Sequence, residues 1–239
     1  MRITRRTANS LLLTMAATSF VPVRGGAPER RKIGVMGAGS LGGTIGSLWV
    51  KAGHDVMFSS RHPEELANMA KALGARASTG TPQQAATFGN FLLFAVPYDA
   101  LRTMGRDLQA ELRGKVVLDA CNPSATLHDS LAREFGTNNV GELSRRFLPN
   151  TRLVRVFSAV DATSAEASAG RREDKLGVPL AGDDAEAVRI AAQLVRDAGC
   201  EPVIVGDLST AARFQRGTPA FRANTTVEEL QRRLREAKA

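Results

Sequence analysis

Several protein classes are excluded by what this sequence lacks. No apolar run reaches the ~18 residues that a membrane-spanning helix needs. The only two cysteines, Cys121 and Cys200, form neither a C-x-x-C pair nor a zinc-type spacing. The three histidines, His54, His62 and His128, are scattered and show no ligand spacing with a carboxylate or thiol. The sequence therefore predicts no membrane span, no metal site, and two small buried thiols rather than a redox pair.

The positive charge of the chain is concentrated at its N-terminus. The 239 residues carry a net charge of +8, and residues 1–31 hold six arginines against a single glutamate. Five of the eight net charges therefore lie in this short segment. A remainder of +3, without interleaved aromatic residues, does not favour a nucleic-acid-binding protein.

The first 31 residues have the layout of an export leader. Three arginines within the first six residues form a positive n-region, and a modestly apolar segment follows at 10–23. Thr4-Arg5-Arg6 resembles the twin-arginine type of signal, which predicts a periplasmic or exported protein. The alternative is a mis-assigned start, with translation from Met15 and a cytoplasmic location. Under both interpretations residues 1–31 are expected to lie outside the fold.

The segment Lys32–Gly46 has the pattern of a dinucleotide-binding turn. An apolar strand at Ile33–Met36 runs into G-x-G-x-x-G, and helical spacing follows. The first glycine allows the tight turn, the second allows close approach of a pyrophosphate, and the third allows helix and strand to pack closely. The free N–H groups at the helix start favour the phosphate charge. The predicted cofactor-binding residues of this motif are Gly37, Ala38, Gly39, Ser40, Leu41 and Gly42.

The end of the second predicted strand indicates which nucleotide binds. An NAD-binding fold places an acid about 20 residues beyond the glycines, to hold the ribose 2′-hydroxyl. Here the sequence reads Ser59-Ser60-Arg61-His62, and the first acid is Glu64. A hydroxyl and a guanidinium can bind a 2′-phosphate that a carboxylate would repel. Ser60 and Arg61 therefore predict NADP as the cofactor, with a solvated loop arginine as the simpler alternative.

Alternating strands and helices predict an α/β fold, a doubly wound parallel sheet of the Rossmann type with a small C-terminal α/β extension. We expect an NADP-binding domain at 32–160 and an acceptor-side, dimerisation-capable region at 161–239. Continuous apolar runs end at Val96-Pro97-Tyr98, at Asn122 and at Ser158. Because ligands bind beyond the carboxyl ends of parallel strands, Val96-Pro97-Tyr98 and Asn122 are predicted to line the cofactor site, with proline as a simple strand terminator as the alternative.

Two further segments carry predictions in the C-terminal part. Residues 165–177 are small, charged and glycine-flanked, which indicates a mobile surface loop. From Thr225 onward, Thr225 with Glu228 and Thr226 with Glu229 have capping-box spacing, and apolar residues share one face. A docked terminal helix is the default expectation, and a homodimer contact is the alternative.

The quoted segments resemble a known family. The run KIGVMGAGSLGGTIGSLWVKAGHDVMFSSRHPEEL, followed by LLFAVPY, VVLDACNP, VPLAGDD and RGTPAF, is similar to the NADP oxidoreductases that depend on the deazaflavin coenzyme F-420. The resemblance spans about residues 32–222. It implies that the glycine motif holds the pyrophosphate, that Ser60 and Arg61 hold the 2′-phosphate, and that Val96-Pro97 abuts the nicotinamide.

The resemblance also implies an acceptor side. The family segment that matches Phe157–Val160 helps to line the deazaflavin side of the cleft, and Ser158 stands where family members usually carry Asn or His. The residues assigned to the acceptor side are Tyr98, Phe157, Ser158 and Val160.

Hydride transfer between stacked rings depends on positioning and a dry cleft more than on a protein acid or base, so no catalytic residue is assigned. The sequence contains no Y-x-x-x-K motif, which counts against a carbonyl reductase of the Tyr/Lys type. The leading hypothesis is an NADPH-dependent oxidoreductase acting on a deazaflavin, a flavin or a similar acceptor. The alternatives are an NADPH sensor without turnover and a reductase whose small-molecule substrate enters at 158–177.

Overall fold

Eight strands form one sheet in the part of the chain that the computed structural model describes, residues 29–237. The strands are β1 (Lys32–Met36), β2 (Asp55–Ser59), β3 (Ala77–Gly80), β4 (Phe91–Phe94), β5 (Val116–Asp119), β6 (Arg152–Val156), β7 (Gly177–Gly182) and β8 (Glu201–Gly206). Their order across the sheet is β3-β2-β1-β4-β5-β6-β7-β8. All neighbours are parallel except β6 and β7, which are antiparallel.

Helices connect the strands and cover the sheet. The α-helices are α1 (Ser40–Lys51), α2 (Ala67–Leu73), α3 (Pro82–Phe88), α4 (Ala100–Asp107), α5 (Gln109–Leu112), α6 (Ala125–Phe135), α7 (Val140–Phe147), α8 (Ala162–Ala169), α9 (Ala185–Asp197) and α10 (Val227–Glu236). Two 3-10 helices lie at Pro63–Leu66 and Leu208–Phe214. Helix α3 begins with a complete capping box, in which Thr81 and Gln84 satisfy each other's backbone N–H groups, and Pro82 occupies the first turn.

The two faces of the sheet bury two separate cores. On one face, Ile33 and Val35 of β1 pack with residues of α1 and α9, and the Trp49 Nε1–H donates to the Leu194 carbonyl at 2.7 Å. On the other face, Met36 of β1 packs with residues of β4, α4 and α7. Strand β4 and the first three residues of β5 read as apolar runs because side chains on both of their faces are buried.

The structure confirms the predicted α/β class and the predicted strands, with one difference in direction. Strand β7 runs antiparallel to β6, and β7 and β8 extend the same sheet. The sequence gives no sign of this reversal, because a buried strand is apolar in either direction. The proposed division at residue 160 stays a prediction.

The prediction of a surface loop at 165–177 is wrong at both of its ends. Residues 162–169 form α8, which packs on α1, and Gly177 already belongs to β7. Small residues such as Ala165 and Ser168 are buried there because they allow the helix to approach its neighbours closely.

The terminal helix α10 is docked, as expected. Leu230 and Leu234 are 2% and 4% exposed and pack in a third apolar cluster with Phe214. The Thr226 side chain makes no capping hydrogen bond, and the Glu229 carboxylate binds Arg232 and Arg233 instead of the Thr226 N–H. The expected capping box is therefore absent at Thr226.

Most of the predicted leader lies outside the described residues, so export stays a prediction. The last two residues of that segment belong to the fold: Arg30 binds Asp55 through two hydrogen bonds, and the Arg31 N–H donates to His54 Nδ1. The prediction that all of residues 1–31 lie outside the fold is therefore wrong for Arg30 and Arg31. Among residues 29–237, no helix is long and apolar enough to cross a membrane.

Candidate functional site

The turn between β1 and α1 has the geometry that its three glycines suggest. Gly37 has φ +94°, a left-handed conformation that side chains rarely adopt. A Cβ atom added at Gly42 would collide with the Gly37 carbonyl oxygen, so helix and turn touch through backbone atoms. At Gly39 an added Cβ would meet nothing within 4 Å, so this position faces open space. The backbone is therefore both tightly packed and accessible at the same turn.

Helix α1 begins without a side-chain cap. Its N-cap residue is Gly39, and no acidic side chain lies in its first turn. The first N–H groups of a helix have no intrahelical acceptor, so those at the start of α1 are available to a ligand. Together with the helix dipole they favour an anionic group beside Gly39.

A cleft of about 770 Å³ opens beside this turn. Its walls come from the glycine turn, the end of β2, the start of α3, the end of β4 and the first turns of α4. The lining residues are Gly37, Ala38, Gly39, Ser59, Ser60, Arg61, Leu66, Pro82, Val96, Pro97, Asp99, Ala100, Thr103 and Met104. Seven of the predicted cofactor-binding residues therefore line one cleft, and Ser40, Leu41, Gly42 and Asn122 are not part of its lining.

The β2 end of this cleft carries a positive charge. Arg61 is exposed, and in the described part of the chain it forms no ion pair. Ser60 Oγ accepts a hydrogen bond from the His62 N–H at 3.0 Å, which fixes the loop beside it. Glu64, the first acid after β2, lies 3.5 Å from His62 Nδ1 and is not part of the lining. The guanidinium of Arg61 is thus available to a ligand.

Several lining residues escaped the sequence analysis. Leu66 and Pro82 provide apolar surface near Arg61, and Thr103 and Met104 of α4 form part of the wall. Pro82 could have been found, because it follows β3 at the carboxyl edge of the sheet. Thr103 and Met104 carry no such signal, since their role depends on the direction of α4.

The structure places Tyr98 in the core and not on the acceptor side. Its side chain is 3% exposed, and its hydroxyl lies 3.0 Å from Ser144 Oγ and 3.3 Å from the Val140 carbonyl. Burial raises the pKa of Tyr98 well above its usual value. The physical reason is that the ring packs on Phe147 under α7, so the hydroxyl needs a buried partner.

The other acceptor-side residues are also buried. Phe157 is fully buried with its ring centroid 6.0 Å from that of Trp49, and Val160 is 7% exposed. Ser158 is 3% exposed, and its carbonyl accepts a hydrogen bond from Asn122 Nδ2 at 2.7 Å. The side chains of Phe157 and Val160 therefore belong to the packing of the core, and the structure brings Ser158 and Asn122 together.

Asn122 also contacts Arg155, which pairs with Asp119, and the sequence analysis singled out neither charged residue. Arg155 Nη1 lies 2.7 Å from Asp119 Oδ2, and Arg155 Nη2 lies 3.1 Å from Asn122 Oδ1. Both charged side chains are almost fully buried. The signal in the sequence was an acid that ends the apolar strand VVLD and an arginine set between two valines in RLVRV.

The two cysteines are free and buried, as expected. Cys121 adjoins the Asp119–Arg155 pair, since its carbonyl accepts from Arg155 Nη1 at 2.6 Å. Burial, reinforced by the nearby Asp119 carboxylate, holds the pKa of the Cys121 thiol well above its usual value. A protonated, buried thiol is a poor nucleophile and a poor metal ligand.

Known proteins resemble this chain in sequence. Residues 32–123 match the family described as NADP oxidoreductase coenzyme F420-dependent. The chain is also 25% identical to the metalloreductase STEAP3 of Rattus norvegicus over 187 residues, which are 78% of this chain. The chain spans only 36% of the length of that curated relative.

Two solved structures show the same fold. A hypothetical protein from Sinorhizobium meliloti has a TM-score of 0.69 at 22% identity, with 81% of this chain and 93% of that chain covered. A candidate F-420-dependent NADP reductase from Arthrobacter has a TM-score of 0.60 at 20% identity, with 76% and 87% covered. Residues 32–123 therefore carry the match to the F-420-dependent NADP oxidoreductases, a match that lies within the NAD(P)-dependent oxidoreductases.

Proposed function

We propose that this protein is an NADPH-dependent oxidoreductase that transfers hydride between NADP(H) and an acceptor ring such as a deazaflavin or a flavin. The observation that carries the proposal is the exposed Arg61 beside Ser60 in the cleft at the glycine turn. No carboxylate stands at the end of β2, where an NAD-binding protein places the acid that holds the ribose.

Charge and shape at this end of the cleft suit a 2′-phosphate. The planar guanidinium of Arg61 presents several donors to phosphate oxygens, and Ser60 adds a hydroxyl. Leu66 and Pro82 offer apolar surface on which an adenine ring can pack. The adenosine half of the cofactor would therefore lie over β2 and β3.

The rest of the cofactor would follow the carboxyl edge of the sheet. The pyrophosphate would meet the free N–H groups of α1 beside Gly39, where no side chain blocks its approach. Val96 and Pro97, at the end of β4, would support the nicotinamide. In this arrangement the protein binds, orients and excludes water, and the cofactor supplies the hydride chemistry.

The comparisons indicate which acceptors are to be tested. The matched family is described by its dependence on coenzyme F-420, which favours a deazaflavin. The relative from rat is named a metalloreductase, so ferric chelates should also be tested as acceptors. We propose that the region 161–239 contributes the acceptor side.

An acceptor panel separates turnover from mere binding. The purified protein is mixed with NADPH, and oxidation is followed with F-420, flavin mononucleotide, ferric chelate or no acceptor. An oxidoreductase consumes NADPH with at least one acceptor and far more slowly without any. Saturable NADPH binding with no oxidation across the panel would contradict the enzyme and leave an NADPH sensor.

Arg61 supplies the specificity control for the same assay. In the Arg61→Gln variant we expect the KM for NADPH to rise by about 10–100-fold, because one or two charge-assisted hydrogen bonds are lost. The KM for NADH should change by less than about twofold, since NADH has no 2′-phosphate to contact. Equal effects on both cofactors would contradict the assignment of Arg61.

A further inference from the structure

A buried ion pair crosses the carboxyl ends of β5 and β6. The side chains of Asp119 and Arg155 are 0% and 1% exposed, and their charged atoms lie 2.7 Å apart. Asp119 Oδ1 also accepts the Cys121 N–H at 2.9 Å. A buried pair gives little net stability, because desolvation offsets most of the attraction. Its presence calls for a reason beyond packing.

The register of the sheet shows where this pair lies relative to Arg61. Ser59, Met36, Phe94, Asp119 and Arg155 are paired in one row across β2, β1, β4, β5 and β6. Four strand spacings of about 4.8 Å separate the two ends of that row by roughly 19 Å. The ion pair therefore stands at the far end of the same edge that carries the glycine turn.

The ion pair fixes the side-chain amide of Asn122. The Asn122 Oδ1 accepts from Arg155 Nη2 at 3.1 Å, and its Nδ2 donates to the Ser158 carbonyl at 2.7 Å. Only this orientation places the amide oxygen against a donor and the amide nitrogen against an acceptor. One lone pair on Oδ1 and one N–H on Nδ2 remain for another partner. Asn122 is half-buried and so is open to one.

Two independent features mark the same place. Phe157 adopts φ +60°, a left-handed conformation unusual for an aromatic residue, and it precedes the carbonyl that Asn122 contacts. Ser158 Oγ and Arg155 Nε are buried without a protein hydrogen-bond partner in the described chain. Strained backbone and unpaired buried polar atoms collect at functional sites.

We propose that Asp119 and Arg155 are positioning residues that orient Asn122 to receive the carboxamide of the nicotinamide ring. The proposal rests on the NADP(H) function above. A carboxamide has one acceptor oxygen and one donor nitrogen, which match the N–H and lone pair that Asn122 has left. The exposed arginine at one end of the edge thus holds the phosphate, and the buried arginine at the other end acts through Asn122.

A half-cofactor separates this role from a structural one. Adenosine 2′,5′-bisphosphate carries the 2′-phosphate but no nicotinamide, so it reports only on the adenosine half. Dissociation constants for NADP⁺ and for this bisphosphate are measured on the full chain by calorimetric titration. For Asn122→Ala we expect NADP⁺ binding to weaken by about 5–10-fold, the loss of one or two hydrogen bonds. Bisphosphate binding should stay within about twofold, and Arg61→Gln should weaken both ligands alike.

The ion pair itself is tested with a double variant. Asp119→Leu combined with Arg155→Met replaces the charges with apolar side chains of similar size, which buried pairs tolerate. It should weaken NADP⁺ binding as Asn122→Ala does, and adding Asn122→Ala to it should have little further effect, because all three act through one amide. Binding of the bisphosphate should again be unchanged.

The outcomes distinguish the two proposals. If the unmodified protein binds neither ligand, the NADP(H) function itself is wrong. If it binds both and Asn122→Ala changes neither constant, or both equally, the positioning role is wrong and the function stands. Additive losses in the triple variant would also contradict the positioning role.

Discussion

At the β2 end of the sheet edge Arg61 is exposed and forms no ion pair in the described chain, whereas at the β6 end Arg155 is 1% exposed and bound to Asp119, Cys121 and Asn122. Arg61 lies two residues after β2, and Arg155 is the penultimate residue of β6. The first charge is available to a ligand and contributes little to the fold. The charge of Arg155 is paired within the protein, so removal of Asp119 should destabilise the fold.

The largest difference between the two arginines is expected in their effect on the stability of the fold. Asp119→Leu leaves the Arg155 guanidinium buried without its counter-charge, so we expect the free energy of unfolding to fall by about 3–5 kcal/mol. Urea denaturation monitored by circular dichroism measures the loss. Arg61→Gln is the matched control and should stay within about 0.5 kcal/mol of the unmodified protein, as exposed substitutions usually do. Similar losses in the two variants would remove the distinction between the two ends.

The glycine turn offers a second contrast within a few residues. Gly42→Ala forces a Cβ against the Gly37 carbonyl oxygen, so we expect a loss of about 1–3 kcal/mol in stability. Gly39→Ala meets open space and should leave thermal unfolding nearly unchanged, yet it should weaken NADPH binding by narrowing the approach to the backbone. Thermal unfolding and NADPH titration of both variants test this. Equal stability of the two variants would contradict the packing role of Gly42.

The smallest effect concerns a half-buried arginine on the same strand as Arg155. Arg152 makes two hydrogen bonds to Asp184, which lowers the pKa of that carboxyl from 3.8 to about 2. Because the folded-state pKa is depressed, this pair stabilises the fold above about pH 4, and its contribution disappears as the pH falls towards 2. Asp184→Asn keeps a capping side chain for α9 but loses the charge.

The melting temperature of Asp184→Asn should therefore fall less steeply between about pH 4 and pH 2 than that of the unmodified protein. Asp129→Asn, on an exposed position of α6, serves as a control of the same type. Parallel pH profiles for Asp184→Asn and the unmodified protein would show that the Arg152–Asp184 pair adds nothing measurable to stability.

Local signals predicted the parts of the fold that depend on neighbouring residues. The strand, glycine turn and helix at 32–51 could be assigned from sequence because Gly37 and Gly42 are required by contacts a few residues away. The capped start of α3 was predictable for the same reason, since Thr81, Pro82 and Gln84 act within one turn.

Features set by distant parts of the chain were not predictable in this way. The antiparallel pairing of β6 with β7 depends on how α8 returns the chain to the sheet. Tyr98 was expected near the acceptor because it follows a strand, but its hydroxyl reaches Ser144, 46 positions away. The Asp119–Arg155 pair joins residues 36 positions apart, so spacing alone could not indicate it.

The central claim, that Arg61 reads the 2′-phosphate of NADP(H), is tested most directly by the ratio of two dissociation constants. NADPH and NADH are titrated into the unmodified protein, into Arg61→Gln and into Arg76→Gln. Arg76 lies just before β3, at the amino-terminal edge of the sheet, and pairs with Asp55. We expect the unmodified protein and Arg76→Gln to prefer NADPH by about 10–100-fold, the worth of charge-assisted hydrogen bonds, and Arg61→Gln to lose most of that preference. An unmodified protein that binds NADH as tightly as NADPH, or an Arg61→Gln variant that keeps the full preference, would contradict the account.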